Sequence, residues 1–274
     1  MNIDSSLRSP ALLQALTAAT VRACAAIMQM RRAGASVRLK ADRSPVTAAD
    51  EAADAIIGEA LGKLLPGVPA ISEESFAAGR CADISDGVFA LIDPLDGTRE
   101  FIAGRDAFTT NIALLADNRP VLGVIGAPAS GLVWRGMAGA GAERLSVGAD
   151  GVSLSAPEPV RVRKAQAGDI AAVVSHSHLD ADTVAFLDAR GIAKRVAVGS
   201  SLKFCRLAQG EADIYPRLAP INEWDIAAGH AILGAAGGII LTGDGSSPRY
   251  GRLDRDLRVP SFIAYGDRTL AAAR

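Results

Sequence analysis

Residues 89–101, Phe-Ala-Leu-Ile-Asp-Pro-Leu-Asp-Gly-Thr-Arg-Glu-Phe, constrain this chain more than any other segment. The apolar run 88–92 reads as a buried strand, and it stops at two carboxylates, Asp93 and Asp96. Pro94 fixes its own φ at about −65° and drives Asp93 toward an extended conformation, so 93–96 reads as a tight turn. Such a turn can aim Asp93, the Leu95 carbonyl and Asp96 into one small volume, the all-oxygen environment that a hard divalent cation requires. Gly97 and Thr98 then open a short helix whose free N–H groups suit a phosphate. Metal ligands followed at once by an anion cradle point to metal-assisted phosphoryl transfer.

As a plain turn the segment would need only solvent, because Asp, Pro and Gly are ordinary turn residues. Acids arriving from three other places shift the balance. The strand-like segment 70–75 ends in Glu73 and Glu74, which a continuing strand would point to opposite faces, so one of the two reaches the site. Asp225 follows Trp224 and precedes a small-residue helix over 225–236, where it reads as an N-cap or as a metal ligand. Asp50 stands three residues after Thr47, the spacing of a capping box. The helix it opens carries Ala53, Ile56, Ile57, Ala60, Leu61 and Leu64 on the helical period. If Glu73, Asp93, Asp96 and Asp225 converge, each pair at ~4 Å costs about 4 kcal/mol at an effective dielectric of about 20, so cations must balance them.

In order and spacing, Asp50, Glu73-Glu74, the turn Asp93 to Thr98, and Trp224-Asp225 with Ala228-Gly229 resemble the inositol monophosphatase superfamily over about residues 44–238. The resemblance implies an α/β fold, a layered α-β-α-β-α sandwich. Residues 1–145 would form an α+β half with paired helices and an antiparallel sheet, holding most metal ligands. Residues 146–274 would form an α/β half carrying Asp225 and the residues that select substrate. It also implies a Mg²⁺-dependent, Li⁺-sensitive phosphatase with two or three ions per site. Residue by residue, Asp93 would bridge two ions, Glu73 and the Leu95 carbonyl would complete the first, and Asp96 and Asp225 the second. Asp50, Thr98 and Glu73 would form the catalytic group, Thr98 orienting the attacking water and Asp50 accepting from the Thr98 hydroxyl. Glu74 would stand behind the ligands or beside a third, weaker ion, and Trp224 would pack Asp225 in place.

A narrower resemblance rests on Ser175-His176-Ser177-His178, Gly199-Ser200-Ser201-Leu202-Lys203-Phe204-Cys205, Tyr215-Pro216-Arg217 and the segment from Trp224 to His230. These are similar to the bacterial 3′(2′),5′-bisphosphate nucleotidases. That implies removal of the 3′-phosphate of adenosine 3′,5′-bisphosphate, giving AMP and phosphate, in sulfur assimilation, with the phosphosulfate relative as a second substrate. Lys203 and Arg217, with Ser200, would hold the retained phosphate. Ser175 and His178 would contact the nucleoside, while Gly97, Thr98 and Asp225 would also face the substrate. Arg99 stands where the branch has Lys, which keeps the charge. Two alternatives share the metal motifs: cleavage of inositol monophosphate or fructose 1,6-bisphosphate, and a metal-binding scaffold without catalysis. The usual inositol-type motif has no cation like Lys203, and a structural metal site would not require both Asp50 and Thr98.

Composition excludes other classes. A net charge of −1 without long basic runs argues against nucleic-acid polymers as partners and leaves a small phosphorylated nucleotide. The cysteines Cys24, Cys81 and Cys205 lack metal-finger spacing and read as reduced thiols, Cys24 and Cys205 within the core. Asp4, Ser5 and Ser6 sit where an export signal would be basic and then apolar. Arg22 interrupts the stretch 11–30, which reads as a core-facing helix rather than a membrane span. The expected location is cytoplasmic, with a peripheral place at the inner membrane by family analogy, and a homodimer is compatible with this reading. The Gly/Ala-rich stretch 138–151 is the expected boundary between the halves, after which strands and helices alternate.

Overall fold

In a computed structural model describing residues 6–34, 37–39, 45–177 and 179–272, the chain begins with helix α1 (Pro10–Ala33). Ser9 caps it, its hydroxyl accepting from the Leu12 N–H at 3.5 Å, and Gly34 ends it at φ 75° in the left-handed region that favours glycine. A two-stranded ribbon, β1 (Val37–Leu39) with β2 (Pro45–Thr47), leads into α2 (Ala48–Leu64). The expected capping box opens α2, with the Thr47 N–H donating to the Asp50 carboxylate at 2.7 Å.

Both helices lie on one face of a seven-stranded sheet of order β3-β4-β5-β6-β7-β8-β9. Its strands are β3 (Ala70–Ser72), β4 (Phe89–Asp96), β5 (Thr109–Ala116), β6 (Arg119–Ala127), β7 (Leu132–Met137), β8 (Gly141–Ser146) and β9 (Glu158–Val160). Only β3 and β4 pair in parallel. Short helices α3 (Glu73–Ala77) and α4 (Thr98–Ile102) follow β3 and β4 at the same end of the sheet. Leu16, Ile27 and Ile57 from the helices bury completely against Ile112, Leu122 and Val124 of the sheet, each worth roughly 1.5–3 kcal/mol.

A five-stranded sheet follows, of order β11-β10-β12-β16-β14. In chain order the elements are β10 (Ala171–Ser175), α5 (Ala181–Ala189), β11 (Lys194–Val198), α6 (Leu202–Ala208), β12 (Ile214–Arg217), β13 (Ile221–Asn222), α7 (Glu223–Ala235), β14 (Ile239–Thr242), β15 (Arg258–Val259), β16 (Phe262–Tyr265) and α8 (Thr269–Ala272). The first three strands of that sheet run parallel, and β16 pairs antiparallel with β12 and β14.

Helix α7 lies between the two sheets, its Ile226, Ile232 and Leu233 fully buried beside Phe204 of α6. Glycines in the large sheet let it approach. A Cβ at Gly123 would lie 2.4 Å from the Ala228 carbonyl oxygen, and one at Gly136 would lie 2.8 Å from Ile232 Cα. The outer face of the small sheet packs Ala172, Val174 and Ile214 with Leu187 of α5 and Leu270 of α8. The layers are therefore α1/α2, large sheet, α6/α7, small sheet, α5, the expected α-β-α-β-α sandwich.

Several local expectations change. The stretch 138–151 contains β8, and the large sheet continues through β9 to Val160, because Ala142 and Leu145 supply a buried face. Asp225 lies in the first turn of α7, and Asn222 is the residue preceding the helix. Glu73 and Glu74 open a helix rather than continue a strand, since the Ser72 hydroxyl accepts from the Ser75 N–H at 3.0 Å and starts a turn. Helix α1 is, despite Arg22, long and apolar enough by length and composition to cross a membrane. Half of its apolar stretch is buried within the protein. Its Gln14 accepts from the buried Arg135 guanidinium of β7 at 2.7 Å, and Arg135 also pairs with Glu143 at 2.8 Å.

Candidate metal and phosphate site

The end of β4 carries the site. A register shift between Asp93 and Asp96 breaks the ladder with β5, as the proline at 94 requires. The turn holds itself: the Leu95 N–H donates to Asp93 Oδ1 at 3.1 Å, and the Thr110 hydroxyl of β5 donates to the Pro94 carbonyl at 2.9 Å. Gly97 follows at φ 92°, where a Cβ would also meet the Ala107 carbonyl at 3.0 Å, so only glycine fits without strain.

Three carboxylates from three elements meet here. Glu73 opens α3, Asp93 ends the regular part of β4, and Asp225 lies in the first turn of α7. One oxygen from each lies within 4.8 Å of the others. Asp93 is only 1% exposed. Burial, then the charges of Glu73, Asp96 and Asp225, push its carboxyl well above the usual range. Burial and the charges of Asp96 and Glu73 do the same for Asp225, where Asp93 and Arg217 pull the other way. Asp96, on the far side of the turn, is raised by burial, with the Lys203 charge and the Ser201 hydroxyl opposing. Ser201 Oγ lies 2.9 Å from Asp96 Oδ2 and 2.7 Å from the Asp225 carbonyl, and accepts from Asn111 Nδ2 at 2.9 Å. The donor set is all oxygen, carries excess negative charge and is partly dehydrated. That chemistry fits hard divalent cations.

Beside the acids lies a pair suited to proton handling. Thr98 Oγ1 is 3.2 Å from Asp50 Oδ1 and 3.1 Å from the Leu95 carbonyl, and its single proton can serve one of them. Asp50 is buried, and its other oxygen accepts from both the N–H and the hydroxyl of Thr47 at 2.7 Å. The capping box thereby fixes the carboxylate that faces Thr98.

The acids open on a cavity of about 370 Å³. Glu73, Asp96, Gly97, Thr98 and Asp225 form one part of its wall, and Ser175, Ser200, Lys203 and Arg217 form another. Asp93, Leu95 and Asp50 lie behind that wall. Ser200, at φ 46°, shares a hydrogen bond of 3.0 Å with Thr109. Lys203 is 6% exposed, lies 5.3 Å from the Tyr215 ring centroid and donates to the Ser200 carbonyl. Burial lowers its pKa to about 8, with Asp96 opposing and Arg217 adding to the fall. Glu74 faces a separate shallow cleft with Glu51, Asp54 and Arg80, so only Glu73 of the pair lines the main cavity. Trp224 is buried with its ring 5.4 Å from Phe76 of α3, joining the helix of Asp225 to that of Glu73. His178 lies outside the described residues.

Other residues carry no motif. Arg258 of β15 and Glu100 of α4 line the same cavity. Glu223 is completely buried and accepts from the N–H groups of Gly251 at 2.6 Å and Arg252 at 3.0 Å, so one carboxylate orders the chain leading to β15. Cys24 and Cys205 are buried and Cys81 exposed, all as free thiols, and burial pushes the Cys24 thiol up to about 12.

Residues 9–273 match the model of the inositol monophosphatase family. The 3′(2′),5′-bisphosphate nucleotidase CysQ of Escherichia coli K12 is 40% identical over 228 residues, covering 81% of this chain and 88% of its own. The CysQ of Buchnera aphidicola is 36% identical over 232 residues, covering 84% and 82%. Among solved structures, CysQ from Bacteroides thetaiotaomicron superposes with a TM-score of 0.75 at 32% identity over 95% of this chain and 98% of that one. Inositol monophosphatase from Anabaena shares the fold, with a TM-score of 0.73 at 24% identity over 96% and 94% of the two chains. With the metal-dependent family's acidic cluster at the end of β4 and its sandwich around α7, this chain belongs to the inositol monophosphatase family.

Proposed function

We propose that this protein is a Mg²⁺-dependent, Li⁺-sensitive phosphatase that removes the 3′-phosphate of adenosine 3′,5′-bisphosphate, releasing AMP and inorganic phosphate. The observation that carries this reading is one cavity lined both by the carboxylates of Glu73, Asp96 and Asp225 and by a basic wall of Lys203, Arg217, Arg99 and Arg258. A monophosphate would need only the carboxylates. A substrate with a second anionic group gives the basic wall its role. The identity to CysQ proteins supports the same choice.

The ligands in this reading are Glu73, Asp93 and the Leu95 carbonyl for one ion, and Asp93, Asp96 and Asp225 for the other. Bound there, two Mg²⁺ ions would supply an activated water and neutralise the leaving oxygen. The remaining work belongs to the chain. Thr98, held by Asp50, donates its proton to that carboxylate, which leaves its oxygen lone pairs to accept from the attacking water. The backbone at Gly97 and Thr98 takes the phosphate oxygens, needing no side chain there. Glu74, facing its own cleft, has no direct part in this reading, and Trp224 keeps Asp225 in register with α3. Lys203, Arg217 and Ser200 receive the retained phosphate, and Ser175 and His178 the nucleoside. The half built on the large sheet, which runs through Val160, thus cuts and the half built on the small sheet chooses, with Asp225 shared between the tasks. The partner is a small nucleotide, in a cytoplasmic setting.

Chromatographic identification of the nucleoside product tests the assignment. Adenosine 5′-monophosphate is expected. Adenosine 3′-monophosphate would mean that the basic wall holds the wrong phosphate and that the substrate lies reversed.

A further inference from the structure

Glu100 lines the cavity that must accept an anion, yet it is a carboxylate and only 6% exposed. Such a charge repels phosphate and is costly to bury. Its surroundings offset both effects. Its Oε1 accepts from the Ser177 hydroxyl and lies 3.5 Å from the Arg105 guanidinium. Burial pushes its carboxyl up, but Ser177 and Arg105 outweigh this and hold it below its ordinary value.

The two ends of the Glu100–Ser177 bond belong to different halves of the fold. Glu100 sits in α4, two residues after Thr98, and α4 is fixed to the first half by Phe101 edge-on to Phe108 at 5.4 Å. Ser177 belongs to the loop that leaves the C-terminal end of β10, just after Ser175. The neighbouring loop after β11 has its own ties to the first half, Ser200 to Thr109 at 3.0 Å and Ser201 to Asp96 at 2.9 Å. The Glu100–Ser177 bond ties the β10 loop to the same half.

We propose that Glu100 is a positioning residue that sets the β10 loop against the phosphate-holding turn, so that the nucleoside wall and the cleaved phosphate keep a fixed separation. This rests on the nucleotidase reading above. Glu100 touches no reacting atom, so its loss should act on recognition of the whole nucleotide rather than on the chemical step.

Steady-state kinetics on adenosine 3′,5′-bisphosphate and hydrogen–deuterium exchange over residues 175–177 test it in the full-length protein. Glu100→Ala should raise KM about tenfold with kcat within about twofold, the lower range for losing a hydrogen bond to a charged group. Exchange at 175–177 should accelerate in the same variant. Glu100→Gln keeps an acceptor for Ser177 and should restore KM to within about threefold of the wild type. Ser177→Ala should match Glu100→Ala, and the double variant should be no worse than either alone. A fall in kcat with KM unchanged, additive single effects, or failure of glutamine to rescue would overturn the proposal. If the wild type does not hydrolyse the bisphosphate, the functional reading fails. The exchange data still decide whether Glu100 holds the loop.

Discussion

Asp93→Asn separates the metal account from a merely structural role, because it should move activity and stability in opposite directions. One oxygen of Asp93 lies within 4.8 Å of oxygens from Glu73 and Asp225. At 4.8 Å two full charges repel by about 3.5 kcal/mol at an effective dielectric of about 20. Protonation of the crowded acids relieves part of that, leaving about 1–3 kcal/mol for a neutral replacement to recover without metal. Asparagine also keeps an oxygen for the Leu95 N–H that Asp93 accepts at 3.1 Å. The metal-free variant should therefore melt higher than the metal-free wild type, by roughly 2–8 °C for a chain of this size. Mg²⁺ should stabilise the wild type strongly, and increasingly as pH rises and the acids ionise, but should barely shift the variant. Activity should fall by at least about a thousandfold. The assay is a pair of thermal melts, with and without Mg²⁺, beside phosphate release. A variant that melts lower without metal and still responds fully to Mg²⁺ would refute the reasoning.

Asp50→Asn and Thr98→Ala should each lower kcat by about 10²–10⁴-fold, the range of lost proton handling, while leaving the Mg²⁺ melting shift intact. Lys203→Ala should cost the bisphosphate roughly 10- to 150-fold in kcat/KM and monophosphates far less, and Arg258→Ala should show the same selectivity more weakly, both read by parallel kinetics. An equal loss on both substrates would remove them from the retained-phosphate wall. His230, whose Nδ1 lies 2.9 Å from the Tyr250 hydroxyl, has its pKa lowered to about 4 by burial and then by Arg119. The unfolded chain binds its proton first, so stability present above pH ~6.5 should be lost as pH falls toward ~4, by up to about 3 kcal/mol. His230→Gln should flatten that part of a denaturation profile. LiCl at high millimolar concentration should inhibit, uncompetitively or noncompetitively, where NaCl does not, since Li⁺ matches Mg²⁺ in size with half the charge.

Legibility followed from how local each cause was. The turn from Asp93 to Thr98 could be read directly because proline, glycine and two acids leave its backbone few alternatives. The Thr47–Asp50 box was visible for the same reason, and α1 and α2 showed through their helical periodicity. Long-range causes were hidden. Nothing beside Glu223 in sequence says that its carboxylate will order Gly251 and Arg252, or that Glu100 will find Ser177. Strand β8 was masked by the glycines and alanines around it, and β9 by Pro157 and Pro159, since their pairing partners supply the apolar context. Asp225 read equally as a helix cap and as a metal ligand. Its place in the first turn depends on β13 pairing with β15, a contact between segments far apart in the chain.

The central claim is tested most directly by initial rates of phosphate release from adenosine 3′,5′-bisphosphate and from inositol 1-phosphate, each with and without Mg²⁺. The account predicts a kcat/KM for the bisphosphate at least about tenfold higher, as one charged hydrogen bond to a second phosphate would give, and negligible release of either phosphate when Mg²⁺ is removed. A preference for inositol 1-phosphate, or release that persists without a divalent cation, would contradict it.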